Sequence, residues 1–189
     1  GLSMAEVSRR LFDYMDTTSH ALSNTELSLS LAMNGQLTYD TDAVVPEDYN
    51  YLDSAWYAQA AAVPGEVVFT DRFVCPIEHI NEVVVAAVSP KTGYAVLLNL
   101  HQEDFIHCHR DLNLGEGSAY YLFDKNDHLL YASTPFSEVS QEQVEAYTKS
   151  MNQLHSTKNG QDITDFQGKT RTYFSAPVSN GWSCVLTVP

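Results

Sequence analysis

The residues best suited to binding chemistry stand close together in one short stretch, which also contains Asp48 and Asp53. It brings together four aromatic side chains, Tyr49, Tyr51, Trp56 and Tyr57. Rings with polar tips offer apolar area together with O–H or N–H groups, and a small polar ligand needs both in the wall of its site. The same rings would equally form the core beneath a short helix. The composition of the stretch leaves both interpretations open.

A second group of polar side chains offers possible metal ligands, namely His101, Asp104, His107, Cys108, His109 and Asp111. In an extended strand, His107 and His109 project to one side. Imidazole, thiolate and carboxylate groups are suitable ligands for zinc, copper or nickel. The spacing matches no known ligand pattern, so we assign no metal and keep His107 and His109 only as candidates. A polar connector or a pH-sensitive hinge explains the same histidines.

The charge balance restricts the partners of the chain. Its 189 residues include 10 basic and 24 acidic side chains, which gives a net charge of −14. Nucleic acids and anionic lipid surfaces are bound by basic faces. We therefore expect no nucleic-acid partner and look for a small molecule instead.

Motifs for catalysis are absent from the sequence. There is no GxSxG nucleophile motif, and Gly115–Gly117 lacks the remaining glycine and the lysine of a phosphate-binding loop. Cys75, Cys108 and Cys184 form no CxxC motif and are more typical of buried free thiols. We therefore expect neither enzymatic activity nor a cofactor in this chain.

The hydrophobic pattern indicates which elements position the aromatic stretch. Apolar residues at spacings of three and four predict an amphipathic helix over 3–22. Alternating residues then flank Asn34–Gly35, which is typical of a type I′ hairpin turn. A short helix capped by Asp53 or Ser54 is predicted to end at Ala62.

The rest of the chain predicts one long helix and two further sets of strands. The helix covers 137–157, and the strands cover 66–74, 82–89, 94–101, 118–124, 128–133, 161–166, 169–176 and 182–188. Both halves run in the order hairpin, helical segment and three strands, and Gly93 in the first half corresponds to Gly181 in the second. This repeat predicts an α+β fold with two similar five-stranded antiparallel lobes in tandem.

The order of these segments resembles that of the double Cache family, the PAS-like extracytoplasmic sensor domains of bacterial transmembrane receptors. The resemblance is carried by LAMNGQLTYD, DSAWYAQA, FTDRFVCPI, EVVVAAVSPKTGYAVLLNL, SAYYLFDKNDHLLYAS and SAPVSNGWSCVLTVP. It implies an N-terminal helix over 1–24 and a membrane-distal, ligand-binding PAS-like lobe over 25–106. A membrane-proximal PAS-like lobe over 107–189 would follow.

The resemblance also implies a binding site in the first lobe. Trp56 and Tyr57 match the WY pair of the family, and Tyr49 matches an aromatic residue of its pocket. Asn99 stands where amino-acid-binding members have an aspartate for the ligand amine. Arg72 or the Asp71 carboxylate is expected to add polarity from the facing strand.

One departure from the family pattern affects the expected ligand. Ser54 stands where those members have an arginine that binds the ligand carboxylate, and a serine cannot replace a bidentate guanidinium. Asn99 likewise lacks the counter-charge for an ammonium group. We therefore expect a small polar metabolite other than an α-amino acid, bound by Tyr49, Trp56, Tyr57, Arg72 and Asn99.

The function implied by the resemblance is that of a sensor module without chemistry of its own. The whole protein would be a membrane-bound histidine kinase, diguanylate cyclase or chemoreceptor, anchored by flanking helices that this fragment lacks. The fragment itself would lie outside the cytoplasm and form a homodimer through the helix over 3–22. An extracytoplasmic protein-interaction or structural domain, whose aromatic residues are only core, is the alternative.

Overall fold

The fold is known from a computed structural model, which describes residues 3–21, 28–39, 44–101, 114–133, 159–164 and 168–189. The chain divides into two compact units, Gly1–Asp104 and Phe105–Pro189, which we call the first and second lobes. The predicted boundary between 106 and 107 lies outside the described residues. The same holds for the predicted helix over 137–157 and for His107 and His109.

The first lobe opens with helix α1, Met4–Ala21. Its first turn is closed by a capping box, in which Ser3 Oγ accepts a hydrogen bond from the backbone N–H of Glu6 at 3.3 Å, and the Ser3 N–H donates to Glu6 Oε2 at 2.8 Å. The Ser3 bonds lower the pKa of Glu6. Helix α1 contacts the first two strands of the lobe.

These two strands, β1 (Ser28–Met33) and β2 (Gln36–Tyr39), form the predicted hairpin. The turn residues Asn34 and Gly35 have φ values of 52° and 79°. Positive φ at both positions is the property of a type I′ turn, so this prediction is confirmed.

The remaining elements of the first lobe are a short helix and four strands. The helix, α2, covers Ala55–Ala62 and follows a 3₁₀ turn over Tyr51–Asp53. The strands are β3 (Val67–Phe69), β4 (Phe73–Val74), β5 (Asn81–Val88) and β6 (Ala95–His101). The sheet order is β2-β1-β6-β5-β3, and β4 also pairs with β5. The prediction of a single strand over 66–74 is wrong, because residues 70–72 separate β3 from β4.

The second lobe contains a five-stranded antiparallel sheet. Its strands are β7 (Ala119–Phe123), β8 (Leu129–Ala132), β9 (Gln161–Thr164), β10 (Thr170–Pro177) and β11 (Ser183–Val188). Their order, β8-β7-β11-β10-β9, places a hairpin beside the last strand, as in the first lobe. The shared order confirms the predicted α+β fold with two PAS-like lobes. The prediction of five strands holds for the second lobe, whereas the sheet of the first lobe has six, because β3 and β4 are separate strands.

Each lobe has its own hydrophobic core. In the first lobe, β1 presents small residues to this core, since Ser28, Ser30 and Ala32 are buried while the intervening residues are half-buried. The Trp56 ring of α2 belongs to the same cluster as Leu97. In the second lobe, the cluster centres on large side chains of the sheet such as Tyr173 and Phe123.

Candidate ligand-binding site

A cavity of about 650 Å³ lies in the first lobe. One wall comes from residues 46–59, which include the aromatic stretch, and the other comes from residues 70–76, which link β3 to β5. The volume falls in the range of small-molecule sites in proteins. The elements that form this cavity are therefore the ones that position any ligand.

The aromatic wall is held together by contacts among its own rings. The Tyr51 and Trp56 rings stack with their centroids 6.1 Å apart, and Tyr57 meets both of them edge-on. Trp56 Nε1 donates a hydrogen bond to Tyr49 Oη at 3.5 Å. Burial raises the pKa of the Tyr49 phenol. Tyr49 and Trp56 therefore present a rigid, largely neutral surface to the cavity.

Local hydrogen bonds fix the start of helix α2 and with it the orientation of this wall. Asn50 accepts a bond from the Leu52 N–H at 3.2 Å and donates to Asp53 Oδ2 at 2.8 Å. Ser54 Oγ accepts a bond from the Tyr57 N–H at 3.3 Å, as the N-cap of the helix. Ser54 thus has a structural role as the cap of this helix.

The facing wall begins where β3 stops. The Thr70 N–H donates to Val84 O at 3.0 Å, but Thr70 Oγ1 accepts a bond from the Val84 N–H at 2.9 Å, where a regular ladder would use a backbone carbonyl. The threonine hydroxyl therefore takes over the pairing with β5. Residues 71 and 72 leave the ladder at this point, and both line the cavity together with Phe73, the first residue of β4.

Charged side chains of both signs line the cavity. Asp48, Asp53 and Asp71 contribute carboxylates, and Arg72 contributes the guanidinium. Carboxylates outnumber the guanidinium three to one, so the field inside the cavity favours a ligand that carries positive charge. The Arg72 guanidinium is the kind of planar donor group that binds carboxylates.

Comparisons with known proteins come from one relative and several solved structures. No protein-family model matches the sequence. The chain is 23% identical over 165 residues to the methyl-accepting chemotaxis protein TlpA of Bacillus subtilis. The match covers 84% of this chain but 23% of TlpA, so the chain spans less than a quarter of that relative's length.

The solved structures share the fold over nearly the whole chain. The ligand-binding domain of the Pseudomonas fluorescens chemoreceptor CtaA, in complex with L-serine, is similar with a TM-score of 0.66 and 19% identity, over 98% of this chain and 80% of that one. The ligand-binding domain of the Pseudomonas aeruginosa chemoreceptor PctB, in complex with L-Arg, has a TM-score of 0.62 and 19% identity, over 96% of this chain and 82% of that one. The ligand-binding domain of the Campylobacter jejuni chemoreceptor Tlp3, in complex with 4-methylisoleucine, has a TM-score of 0.63 and 12% identity, over 99% of this chain and 73% of that one.

This chain has the double Cache fold. The likeness to these chemoreceptor domains confirms, at the level of fold, the resemblance seen in the sequence. Among the described helices of this double Cache domain, none is long and apolar enough to cross a membrane.

The structure places three of the five predicted site residues at the cavity of the double Cache domain, namely Tyr49, Trp56 and Arg72. The other two do not line it. Tyr57 Oη donates to Gly93 O at 3.3 Å and so ties helix α2 to the turn between β5 and β6. Asn99 is buried in the sheet, where its Nδ2 donates to Ser30 Oγ at 2.6 Å.

Several lining residues were not among the predicted site residues, most clearly Thr70, Phe73 and Pro76. A signal for them exists in the sequence. The polar run Thr70–Arg72 interrupts an otherwise apolar strand, and such an interruption is typical of a segment that leaves the sheet. The roles of all lining residues in binding stay predictions.

Proposed function

We propose that this chain is the extracytoplasmic sensor domain of a membrane-bound signalling protein and binds a small metabolite in its first lobe. The observation that carries the proposal is the cavity of about 650 Å³ walled by aromatic and charged side chains. The double Cache fold supports it, because the similar solved domains are chemoreceptor ligand-binding domains in complex with amino acids.

The charges of the cavity define the class of ligand. An ammonium group gains attraction from Asp48, Asp53 and Asp71, and partial desolvation strengthens the share of Asp71, which is half-buried. A carboxylate has Arg72 as its partner. We therefore propose a small metabolite that carries an amine, and an amino acid is the form that uses both kinds of charge.

This assignment differs from the one expected from Ser54 and Asn99 alone. Those two positions lack the family's charges, and the sequence argument against an α-amino acid rested on them. Asp71 and Arg72 line the cavity from the segment between β3 and β4 and would supply charges of both signs to a ligand. The chemistry of recognition would then be kept, while the residues that provide it are different.

Binding experiments with paired variants test the proposal. We would screen L-amino acids, the matching amines without a carboxylate and the matching acids without an amine by thermal shift, and then measure affinities by calorimetry. Asp71→Asn is expected to weaken an amine-bearing ligand by about 10-fold or more, because a charge-assisted bond contributes about 1.5 to 3 kcal/mol. Arg72→Gln removes the proposed partner of a ligand carboxylate. Its control is Arg10→Gln, because Arg10 is an exposed arginine on α1.

A second pair of variants removes one hydroxyl each, from Tyr49 and from Tyr57. Tyr49→Phe changes the wall of the cavity, whereas Tyr57→Phe removes only the bond to Gly93 O. A loss of affinity in the first variant and none in the second supports the site. Equal effects, or no compound that stabilises the protein, would favour the protein-interaction domain that we consider the alternative.

Dimerisation through helix α1 is the proposed route by which the signal is passed on. Val7 and Leu11 are half-buried on this helix, whereas Tyr14 is 62% exposed. Sedimentation equilibrium over a range of concentrations is expected to show a dimer that Tyr14→Glu weakens. A monomer at all concentrations would remove this part of the proposal. The domain itself would carry out no chemical reaction.

A further inference from the structure

Outside the cavity, a compact group of metal-binding side chains lies at one end of the first-lobe sheet. Cys75, Glu78 and Glu82 each direct one ligand atom to a common point, and these three atoms lie within 4.8 Å of one another. His101 lies beside this group, since its Nε2 lies 3.3 Å from Glu78 Oε2 and 3.7 Å from Glu82 Oε2.

The backbone holds these four residues together. Strands β4 and β5 form a hairpin whose connecting turn is closed by the Cys75 N–H to Ile80 O bond at 2.8 Å and the His79 N–H to Cys75 O bond at 2.9 Å. Cys75 and Glu78 stand on this turn. Glu82 opens β5 and pairs in register with His101 at the end of β6. The backbone that carries these ligand residues is therefore held in place by hydrogen bonds and strand pairing.

Burial separates this group from an ordinary acidic surface cluster. The Glu82 side chain is only 3% exposed, and Cys75 is 1% exposed. Within the described part of the chain, neither Glu82 Oε2 nor Glu78 Oε2 accepts a hydrogen bond, although both atoms are buried. Two buried carboxylate oxygens directed at one point repel each other, and a cation placed between them removes that repulsion.

We propose that Cys75, Glu78, Glu82 and His101 form a binding site for a divalent transition-metal ion, with zinc as the best match. Zinc binds thiolate, imidazole and carboxylate in a tetrahedron at about 2.0 to 2.3 Å, which holds the ligand atoms about 3.3 to 3.6 Å apart. The His101 distances of 3.3 and 3.7 Å are close to that spacing. Calcium and magnesium fit poorly, because both ions select oxygen ligands.

The site would act as a structural clamp on the first lobe. It joins the β4–β5 turn to the end of β6, and Pro76 on the same turn lines the cavity. The metal would fix this wall without touching a ligand.

Cobalt substitution tests the site directly. Protein stripped with a chelator and titrated with Co²⁺ should show a thiolate-to-cobalt charge-transfer band and the visible bands of tetrahedral cobalt. Cys75→Ser should abolish the charge-transfer band, whereas Cys108→Ser and Cys184→Ser should keep it. No such band in the unmodified protein would overturn the proposal. So would a band that survives Cys75→Ser and is lost in Cys108→Ser or His107→Ala.

Zinc affinity gives an independent measurement. In competition with a chromophoric chelator, Glu82→Gln should weaken Zn²⁺ binding by at least about 100-fold, more than is typical of residues behind the ligands. Because a buried substitution can impair folding, Glu78→Gln serves as the second variant, since Glu78 is 26% exposed. It should retain the metal-free melting curve and lose about 10-fold to 100-fold in affinity. Unchanged affinity in both variants would overturn the site.

Discussion

Thr70 carries the most informative prediction, because a single hydroxyl replaces a backbone group at the edge of the cavity. The side chain is almost fully buried, and its Oγ1 is the acceptor for the Val84 N–H on β5. Thr70→Val keeps the shape and the β-branching of the side chain. It removes only the acceptor and leaves a buried N–H without a partner.

The expected cost follows from this geometry. An unsatisfied buried N–H costs about 1 to 3 kcal/mol, and the methyl group that replaces the hydroxyl returns less than about 1 kcal/mol. The net loss in the free energy of unfolding is therefore about 1 to 2 kcal/mol, a factor of roughly 5 to 30 in the ratio of folded to unfolded protein. Thr70→Ser keeps the acceptor and is the control.

The assay uses the distribution of tryptophan in the chain. Of the two tryptophans, Trp56 lies in the first lobe and Trp182 in the second, so a Trp182→Phe background reports on the first lobe alone. Urea unfolding followed by the Trp56 fluorescence would give the stability difference. Hydrogen exchange at the Val84 amide should quicken in Thr70→Val and change much less in Thr70→Ser. Equal stability in Thr70→Val and the parent protein would refute the reasoning.

Three further predictions concern the second lobe. Asp124 is buried and accepts bonds from the His128 N–H at 2.8 Å and from His128 Nδ1 at 2.9 Å, so Asp124→Ala should cost about 3 kcal/mol in urea unfolding followed by Trp182; a change below about 1 kcal/mol would contradict this. Gly117 has φ +77°, and an added Cβ would lie 2.9 Å from Pro189 Cγ, so Gly117→Ala should lower the melting temperature more than Gly115→Ala, where nothing lies within 4 Å. Burial raises the pKa of Tyr120 from 10.0 to about 12, so the folded lobe keeps this proton at pH values where the unfolded chain loses it, and the stability of the lobe should fall between those pH values. A Tyr120→Phe variant that loses the same stability at alkaline pH would refute this prediction.

The elements were predictable because their signals are local. Asn34–Gly35 specified a turn with two positive φ values, and Ser54 specified a helix start. These features depend on a few neighbouring residues, so a single sequence contains them. The order of the segments along the chain then indicated the fold, because chains whose helices and strands follow one another in the same order tend to share a sheet topology.

The site was less predictable because it depends on where side chains point. Tyr57 and Trp56 are neighbours on one helix, yet only Trp56 lines the cavity, while Tyr57 Oη donates to Gly93 O. Asn99 lies on a strand where register, and not sequence, decides its partners. One residue of rotation or register separates a lining side chain from a core side chain.

The proposed metal site shows the same limit more sharply. Glu82 and His101 are far apart in the sequence and meet only because β5 and β6 pair in register. The spacing from Cys75 to Glu78 is not part of a familiar zinc pattern, so the sequence grouped His101 with His107 and His109 instead. Only the paired strands reveal the convergence.

The central claim is that the first lobe binds an amine-bearing metabolite, and one measurement tests it most directly. Calorimetric titration of the chain, with each amine-bearing compound that raises its melting temperature and with the matching acid that lacks the amine, compares the two classes at the same cavity. We predict saturable binding of the amine-bearing compound, weakened in Asp71→Asn and unchanged in Arg10→Gln. Binding of the acids alone, or full affinity in Asp71→Asn and Tyr49→Phe, would contradict the claim.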